Sequence, residues 1–221
     1  MNLIDFDIGY DLILSKSECQ EIIDWFKDNT KTIVATTRVE GTDADYNREM
    51  DEKGFHGNIT DNRKGFVSFT QKPFPYEQEI REAVYDYADK TGIRLYQDVP
   101  DDPEMRNVGW QFTQYIDKGD KFDEHQDQSV SHYFNKWFDE QERAGLKHAY
   151  RKISSTIQLS DPKDYEGAAL KIRNKRESVV MYPAERGSII CFPSYAYHAV
   201  DPLLSGERYS LVGWFYGPYW R

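Results

Sequence analysis

A chain of 221 residues with a formal net charge of −10 is long enough to bury a large core as one domain. The acidic balance disfavours nucleic acid or an anionic membrane as the main partner, because both attract basic surfaces. The two cysteines, Cys19 and Cys191, lie far apart in the sequence, so they form no disulfide framework and suit a reducing cytoplasm.

The N-terminus carries no basic region followed by an apolar run, and no stretch reaches the length of a transmembrane helix. No internal repeat or low-complexity linker divides the chain. We therefore expect a cytoplasmic protein without a membrane partner, folded as a single domain over residues 1–221.

Two helices are predicted in the N-terminal half. Ser15 and Glu18 can form a capping box, in which each side chain accepts the backbone N–H of the other residue. The apolar positions that follow recur at helical spacing: Cys19, Ile22, Ile23 and Phe26. A second helix is expected from about Tyr76 to Thr91, with Gly92 as its stop. Both helices should pack on the outside of a sheet.

Between these helices, residues 35–68 are polar and irregular. A loop of this length in a compact domain is usually either functional or mobile. Two interpretations stay open: a lid over an active site, or a plain excursion on the surface.

From Asn107 onward the pattern changes to strands. The segments with strand character are 108–116, 152–160, 168–172, 178–182, 188–192 and 209–216. Many short strands joined by turns indicate an antiparallel sandwich or barrel. We predict a mainly β fold, with a β core over residues 107–217 and helical support within residues 1–100. Residues 129–150 interrupt the core with an insertion that is expected to contain a helix.

The candidate metal ligands are His125, Asp127 and His198. Residues two apart on an extended chain project to the same side, so His125 and Asp127 can face one ion. His198 follows an apolar strand and can complete the set. Two imidazoles and one carboxylate form the facial triad of oxygen-activating iron sites. Taken singly, each of these residues is also explained by ordinary structural hydrogen bonding.

Arg208 follows His198 by ten residues and opens an apolar strand. A charge entering such a strand is costly unless it is paired. A dicarboxylate held by the guanidinium fork is one such partner, and the Ser210 hydroxyl lies on the same strand face. A salt bridge to an acidic residue of the chain is the other.

Together, four stretches resemble the iron(II)/2-oxoglutarate-dependent dioxygenases, in particular their prolyl-4-hydroxylase-like branch. They are residues 115–127, 151–170, 186–202 and 206–214. The ligand-type residues, the arginine and the turns between strands occur in that family's order. The first hundred residues resemble the family only loosely.

The resemblance implies a distorted double-stranded β-helix, a jelly-roll or cupin-like fold. In it, His125, Asp127 and His198 bind Fe(II) as the catalytic centre. Arg208 binds the distal carboxylate of 2-oxoglutarate. Tyr115, Ser210 and Gln158 are the further residues expected to bind this co-substrate, with Gln158 at a position where relatives carry a tyrosine. A Gly167–Ala168 pair replaces the family's usual two glycines.

The implied activity is hydroxylation with O2, release of succinate and CO2, and support by ascorbate. The substrate is expected to be a protein, a peptide or a small molecule, with prolyl residues of a peptide as one candidate. The sequence leaves the substrate, the oligomeric state and the metal bound on purification undetermined.

Three other interpretations keep the metal. A cupin-like isomerase or binding protein would not use 2-oxoglutarate, and leaves Arg208 unexplained. An oxygenase repairing nucleic acid would need a local basic groove, for which Arg38, Arg63, Lys64 and Arg151 are candidates. A hydrolytic zinc site uses a similar ligand set, so the flanking stretches decide for iron.

Overall fold

The structure is a computed structural model that describes residues 2–4, 8–35, 61–70, 72–95, 110–127, 150–173, 179–181 and 185–217. Two helices are described, α1 (Lys16–Asn29) and α2 (Glu77–Thr91). The strands are β1 (Asn2–Ile4), β2 (Ile8–Leu12), β3 (Ile33–Val34), β4 (Arg63–Lys64), β5 (Phe66–Thr70), β6 (Trp110–Tyr115), β7 (Lys121–His125), β8 (Tyr150–Gln158), β9 (Tyr165–Gly167), β10 (Leu170–Arg173), β11 (Val179–Met181), β12 (Ser188–Pro193), β13 (His198–Val200), β14 (Leu203–Gly206) and β15 (Arg208–Gly217). Among these described residues, no helix is long and apolar enough to cross a membrane.

Helix α1 begins as its sequence predicts. The Glu18 N–H donates to the Ser15 hydroxyl, and the Glu18 carboxylate accepts from the Ser15 N–H at 2.6 Å, which completes the capping box. Helix α2 ends at Gly92, which adopts the left-handed conformation with φ of 67°. Its buried face carries Ile80, Val84, Tyr87 and Ala88.

The strands form antiparallel sheets. The large sheet has eight strands in the order β1-β2-β12-β8-β15-β6-β5-β3. A second sheet has five strands in the order β11-β10-β13-β7-β4, and β14 pairs with β9 in a separate ribbon. Every pairing within these described strands is antiparallel.

The large sheet buries its two faces differently. One face packs against the helices, where Phe26 of α1 stacks on Phe112 of β6 with ring centroids 5.1 Å apart. Ile157 and Leu211 join this same cluster. Because side chains alternate along a strand, the neighbouring residues of β8 and β15 point to the other face.

A second cluster is formed by residues of the two sheets. Ile190 and Phe192 of β12 contact Leu170 and Ile172 of β10, with Ile8 alongside. The even-numbered residues of β15 at Arg208 and Ser210 are also buried, although they are polar. The face of the large sheet opposite the helices therefore differs from the helix-facing core, because it carries charged and hydrogen-bonding groups.

The predicted fold class is confirmed: the protein is mainly β, antiparallel and flanked by helices. The predicted loop over 35–68 is wrong at its C-terminal end, because Arg63–Lys64 form β4 and Phe66–Thr70 form β5. Strand β5 pairs with β6 on one side and with β3 on the other, so its backbone is held in the sheet. Residues 36–60, most of the candidate lid over 35–68, lie outside the described residues, as do residues 129–149 of the predicted insertion.

Gly187 is predicted to be essential for stability. Its φ is +92°, and a Cβ there would lie 1.9 Å from the Leu14 carbonyl oxygen. We expect Gly187→Ala to lower the free energy of unfolding by roughly 2–4 kcal/mol, measured by urea denaturation. Gly119 is the matched control, because its φ is +93° but nothing lies within 4 Å of an added Cβ. Gly119→Ala should cost only about 1 kcal/mol, and equal losses would contradict the steric explanation.

Candidate metal centre and co-substrate pocket

The antiparallel pairing of β7 with β13 brings the two histidines together. His125, the last residue of β7, lies directly opposite His198, the first residue of β13. His198 therefore opens a new strand after the turn that follows Pro193. Asp127 comes two residues after β7, and its N–H donates to the Ser194 carbonyl at 3.1 Å.

The three side chains converge on one point. His125 Nε2 lies 3.7 Å from Asp127 Oδ1, and His198 Nε2 lies 3.5 Å from Asp127 Oδ2. One ligand atom from each residue lies within 4.8 Å of the other two. In the described part of the chain, this is the group of histidine and carboxylate side chains that could hold a metal ion.

Backbone carbonyls orient both imidazole rings. His125 Nδ1 lies 2.8 Å from the Asp123 carbonyl oxygen, and His198 Nδ1 lies 3.0 Å from that of Ala196. A carbonyl only accepts, so each Nδ1 carries the proton and donates it. Each Nε2 then presents its lone pair to the centre, which is the tautomer that a metal ligand needs.

Ser154 holds the Asp127 carboxylate, and Ser194 contacts Ser154. The Ser154 hydroxyl donates to Asp127 Oδ2 at 2.6 Å and lies 3.0 Å from the Ser194 hydroxyl. Ser154 and Ser194 are fully buried, so this contact is shielded from water. The carboxylate therefore has its orientation set before any ion binds.

The protonation states of the centre also suit a cation. Burial and the neighbouring His198 lower the pKa of His125 to about 4, so its imidazole is neutral at pH 7. Burial alone would raise the pKa of Asp127. The two histidines and, after them, Arg151 and the Ser154 hydroxyl outweigh burial and lower this pKa to about 2. Neutral imidazoles and an ionised carboxylate are the forms that bind a divalent metal, so the residues fit an Fe(II) ion.

Arg208 lies on β15, on the face of the large sheet opposite the helices. Its side chain is 3% exposed, and its Nη1 is buried without a hydrogen-bond partner among the described residues. Tyr115 is opposite Arg208 in the β6–β15 pairing, and its ring centroid lies 5.5 Å from the guanidinium carbon. Burial raises the pKa of the Tyr115 phenol, although Arg208 and Arg63 oppose it. Ser210 is buried one side-chain step along the same face.

Gln158 contacts Arg208 directly. Arg208 Nε donates to Gln158 Oε1 at 3.0 Å. Gln158 Nε2 donates to the Ser160 carbonyl at 2.9 Å and to the Tyr165 hydroxyl at 3.2 Å. The amide is therefore fully engaged by the protein.

Arg151 and Arg63 lie near the centre, although the sequence did not assign them to the metal or co-substrate site. Arg151 donates to the Tyr216 hydroxyl at 3.1 Å and lies 4.2 Å from the Trp214 ring centroid. Arg63 donates to Gln111 at 3.0 Å and lies over Phe122, whose ring stacks on His125. Arg63 and Arg151 were candidates for a basic groove, but these contacts turn them toward the interior. Burial also lowers the pKa of Arg63.

The signal for these residues in the sequence was weak. Ser154 belongs to a strand whose alternation was recognised, but a serine at a buried position has many possible partners. Arg63 fell within a segment that was predicted to be a loop.

Comparisons with known proteins agree with this geometry. Residues 110–216 match the model of the 2OG-Fe(II) oxygenase superfamily. A PKHD-type hydroxylase of Synechococcus sp. (strain CC9605) is 38% identical over 68 residues, which are 31% of this chain and 31% of that protein. The match thus spans about a third of that relative's length.

Solved structures show the same fold. A Trichoplax adhaerens prolyl hydroxylase, in complex with a hypoxia inducible factor peptide fragment, superposes with a TM-score of 0.58 at 12% identity, covering 96% of this chain and 84% of that one. A viral collagen prolyl hydroxylase of Paramecium Bursaria Chlorella virus-1 gives 0.56 at 13% identity, with 96% of both chains covered.

The matched residues include all three metal-ligand candidates and Arg208. Residues 110–216, just under half of the chain, therefore resemble the 2OG-Fe(II) oxygenase superfamily. The chain's fold is that of the two prolyl hydroxylase structures, a double-stranded β-helix.

The hydrogen bond from Ser154 to Asp127 is predicted to tune metal affinity. We expect Ser154→Ala to weaken Mn(II) binding about 10- to 100-fold, the usual effect of losing a partner of a metal ligand. Competition with a chelator measures the dissociation constant. Ser155 is the matched control, since its hydroxyl donates to the Gly213 carbonyl at 3.2 Å. Ser155→Ala should leave metal affinity unchanged; equal weakening in both variants would refute the role of Ser154.

Proposed function

We propose that the protein is an Fe(II)- and 2-oxoglutarate-dependent dioxygenase that hydroxylates its substrate and releases succinate and CO2. The observation that carries this proposal is a pre-oriented metal triad in one interior with a buried, unsatisfied guanidinium nitrogen. An anion is the natural partner for that nitrogen, because a buried cationic donor without an acceptor is costly.

The chain's own residues prepare the site. The metal would be held by His125, Asp127 and His198. Backbone carbonyls accept from Nδ1 of each histidine, and the Ser154 hydroxyl donates to Asp127 Oδ2. Arg208 would bind the distal carboxylate of 2-oxoglutarate, with Tyr115 and Ser210 beside it. Bound iron supplies the activation of O2 that is coupled to decarboxylation of the keto acid. Asp127, His198 and Arg208 are largely shielded from water, whereas the His125 side chain keeps 22% of its surface exposed.

The proposed substrate is a prolyl or other residue of a protein or peptide. The support for it is the fold shared with prolyl hydroxylases, one of which was solved with a peptide fragment. We further propose that ascorbate supports turnover and that the protein works in the cytoplasm without a nucleic-acid partner, consistent with its charge of −10.

The proposal predicts uncoupled turnover. With Fe(II), ascorbate and O2, the protein should convert 2-oxoglutarate to succinate, detected by mass spectrometry. Asp127→Ala should abolish this conversion, because the centre loses its only carboxylate ligand among the described residues. Succinate formation that persists in Asp127→Ala would refute the assignment.

Arg208 tests the use of the co-substrate separately. Arg208→Ala should raise the KM for 2-oxoglutarate by roughly 30-fold or more, from the loss of a buried charged pair. Arg81, which pairs with Glu77 on α2, provides the control; Arg81→Ala should leave this KM unchanged. An unchanged KM in Arg208→Ala would favour a metal protein that does not use 2-oxoglutarate.

Screening peptides against free amino acids, by succinate release above the uncoupled rate, then defines the substrate class.

A further inference from the structure

Gln158 occupies a special position in the interior, between Arg208 and the β9–β14 ribbon. Its side chain is 4% exposed, and its amide contacts two groups with opposite requirements. Arg208 Nε can only donate a hydrogen bond, whereas the Ser160 carbonyl can only accept one. The orientation of the amide is therefore determined by chemistry, with Oε1 toward the guanidinium and Nε2 toward Ser160 and Tyr165.

This arrangement satisfies one edge of the guanidinium and leaves another unsatisfied. Arg208 Nε has its acceptor at 3.0 Å, while Arg208 Nη1 is buried and lacks one. The Gln158 amide therefore restrains one edge of the guanidinium, while Nη1 still lacks an acceptor. Pre-orientation of this kind improves affinity, because less conformational entropy is lost on binding.

The neutrality of Gln158 matters as much as its geometry. A carboxylate at this position would pair with the buried guanidinium and cancel its charge. An apolar side chain would leave Nε without an acceptor and Arg208 free to reorient. The amide accepts from Nε without adding negative charge, so the positive charge of Arg208 is preserved for an incoming anion.

We propose that Gln158 is a positioning residue that gives the co-substrate pocket its selectivity for a dicarboxylate, by orienting Arg208 while leaving its charge uncompensated. The inference rests on the proposed use of 2-oxoglutarate. It assigns Gln158 a role through Arg208, whereas the sequence suggested direct binding of the co-substrate. The Tyr165 hydroxyl, 3.2 Å from Gln158 Nε2, links the same amide to β9.

The test compares two keto acids of equal length. 2-Oxoglutarate has the distal carboxylate, and 2-oxopentanoate has a methyl group in its place. Their dissociation constants are measured by calorimetry on Mn(II)-loaded protein without O2, so that no turnover is required. The ratio of the two constants is the discrimination, expected to be roughly 30-fold or more in the unmodified protein.

Two variants separate charge from shape. Gln158→Glu keeps the shape and supplies a competing carboxylate, so discrimination should fall by about tenfold or more. Gln158→Met keeps a similar volume without any of the three hydrogen bonds, and should lower discrimination by about threefold to tenfold. Mn(II) affinity should be unchanged in both. A role limited to filling space predicts that both variants discriminate as the unmodified protein does, and that result would overturn the proposal.

Gln114 provides the matched control. It is buried in the same sheet, on β6, and donates to the Thr32 hydroxyl at 3.0 Å, on the face of the sheet away from Arg208. Gln114→Glu should keep the discrimination of the unmodified protein, and thermal unfolding establishes that each variant is folded. If Gln158→Glu does not fold, Gln158→Met alone decides the outcome.

The experiment distinguishes failure of the proposed function from failure of the proposed role of Gln158. If the unmodified protein binds neither keto acid, the proposed function is rejected together with the role of Gln158. If it binds 2-oxoglutarate selectively and the Gln158 variants retain that selectivity, only the role of Gln158 is rejected.

Discussion

The pairing of β7 with β13 is the interaction on which the site depends. It sets His125 opposite His198, and the turn before β13 accepts the Asp127 N–H through the Ser194 carbonyl. Side chains from two distant parts of the sequence, 125–127 and 198, are thereby placed by main-chain hydrogen bonds. Such bonds are insensitive to side-chain identity, so the loops and strand ends nearby can vary while the centre keeps its geometry.

Burial then determines the chemistry of these groups. Removal from water disfavours charge, so His125 is neutral at pH 7, whereas Asp127 stays ionised because its neighbours oppose that effect. The cost of burying a charge applies to Arg208 as well. Its guanidinium is buried with one nitrogen unsatisfied, a state that is costly without an anion and favourable with one. The interior is therefore organised for charged ligands and not for further apolar packing.

Much of the fold was predictable because local signals were strong. The capping box and apolar spacing placed α1, and Gly92 marked the end of α2. The alternating strands β6, β8 and β15 were recognised for the same reason. In contrast, β7 reads Lys-Phe-Asp-Glu-His, a polar strand whose pairing comes from its sheet neighbours, and β4 has two residues. Local propensity carries little information about such strands.

The candidate site was predictable in its residues but not in its internal contacts. His125, Asp127, His198 and Arg208 are chemically distinctive, and the structure places the three ligands together. Their individual roles stay predictions. The engagement of the Gln158 amide by Arg208, Ser160 and Tyr165 depends on a side-chain conformation that no sequence pattern encodes.

The alternation along β8 has a consequence for how this protein can evolve. Ser154 faces the metal centre, while its neighbours Ile153 and Ser155 face the helix side of the sheet. Adjacent residues thus have separate roles, one in orienting a metal ligand and one in packing the sheet against the helices. Substitutions at the positions that face the metal centre can therefore change reactivity, while the positions that face the helices preserve the packing. Both kinds of substitution can occur independently within one strand.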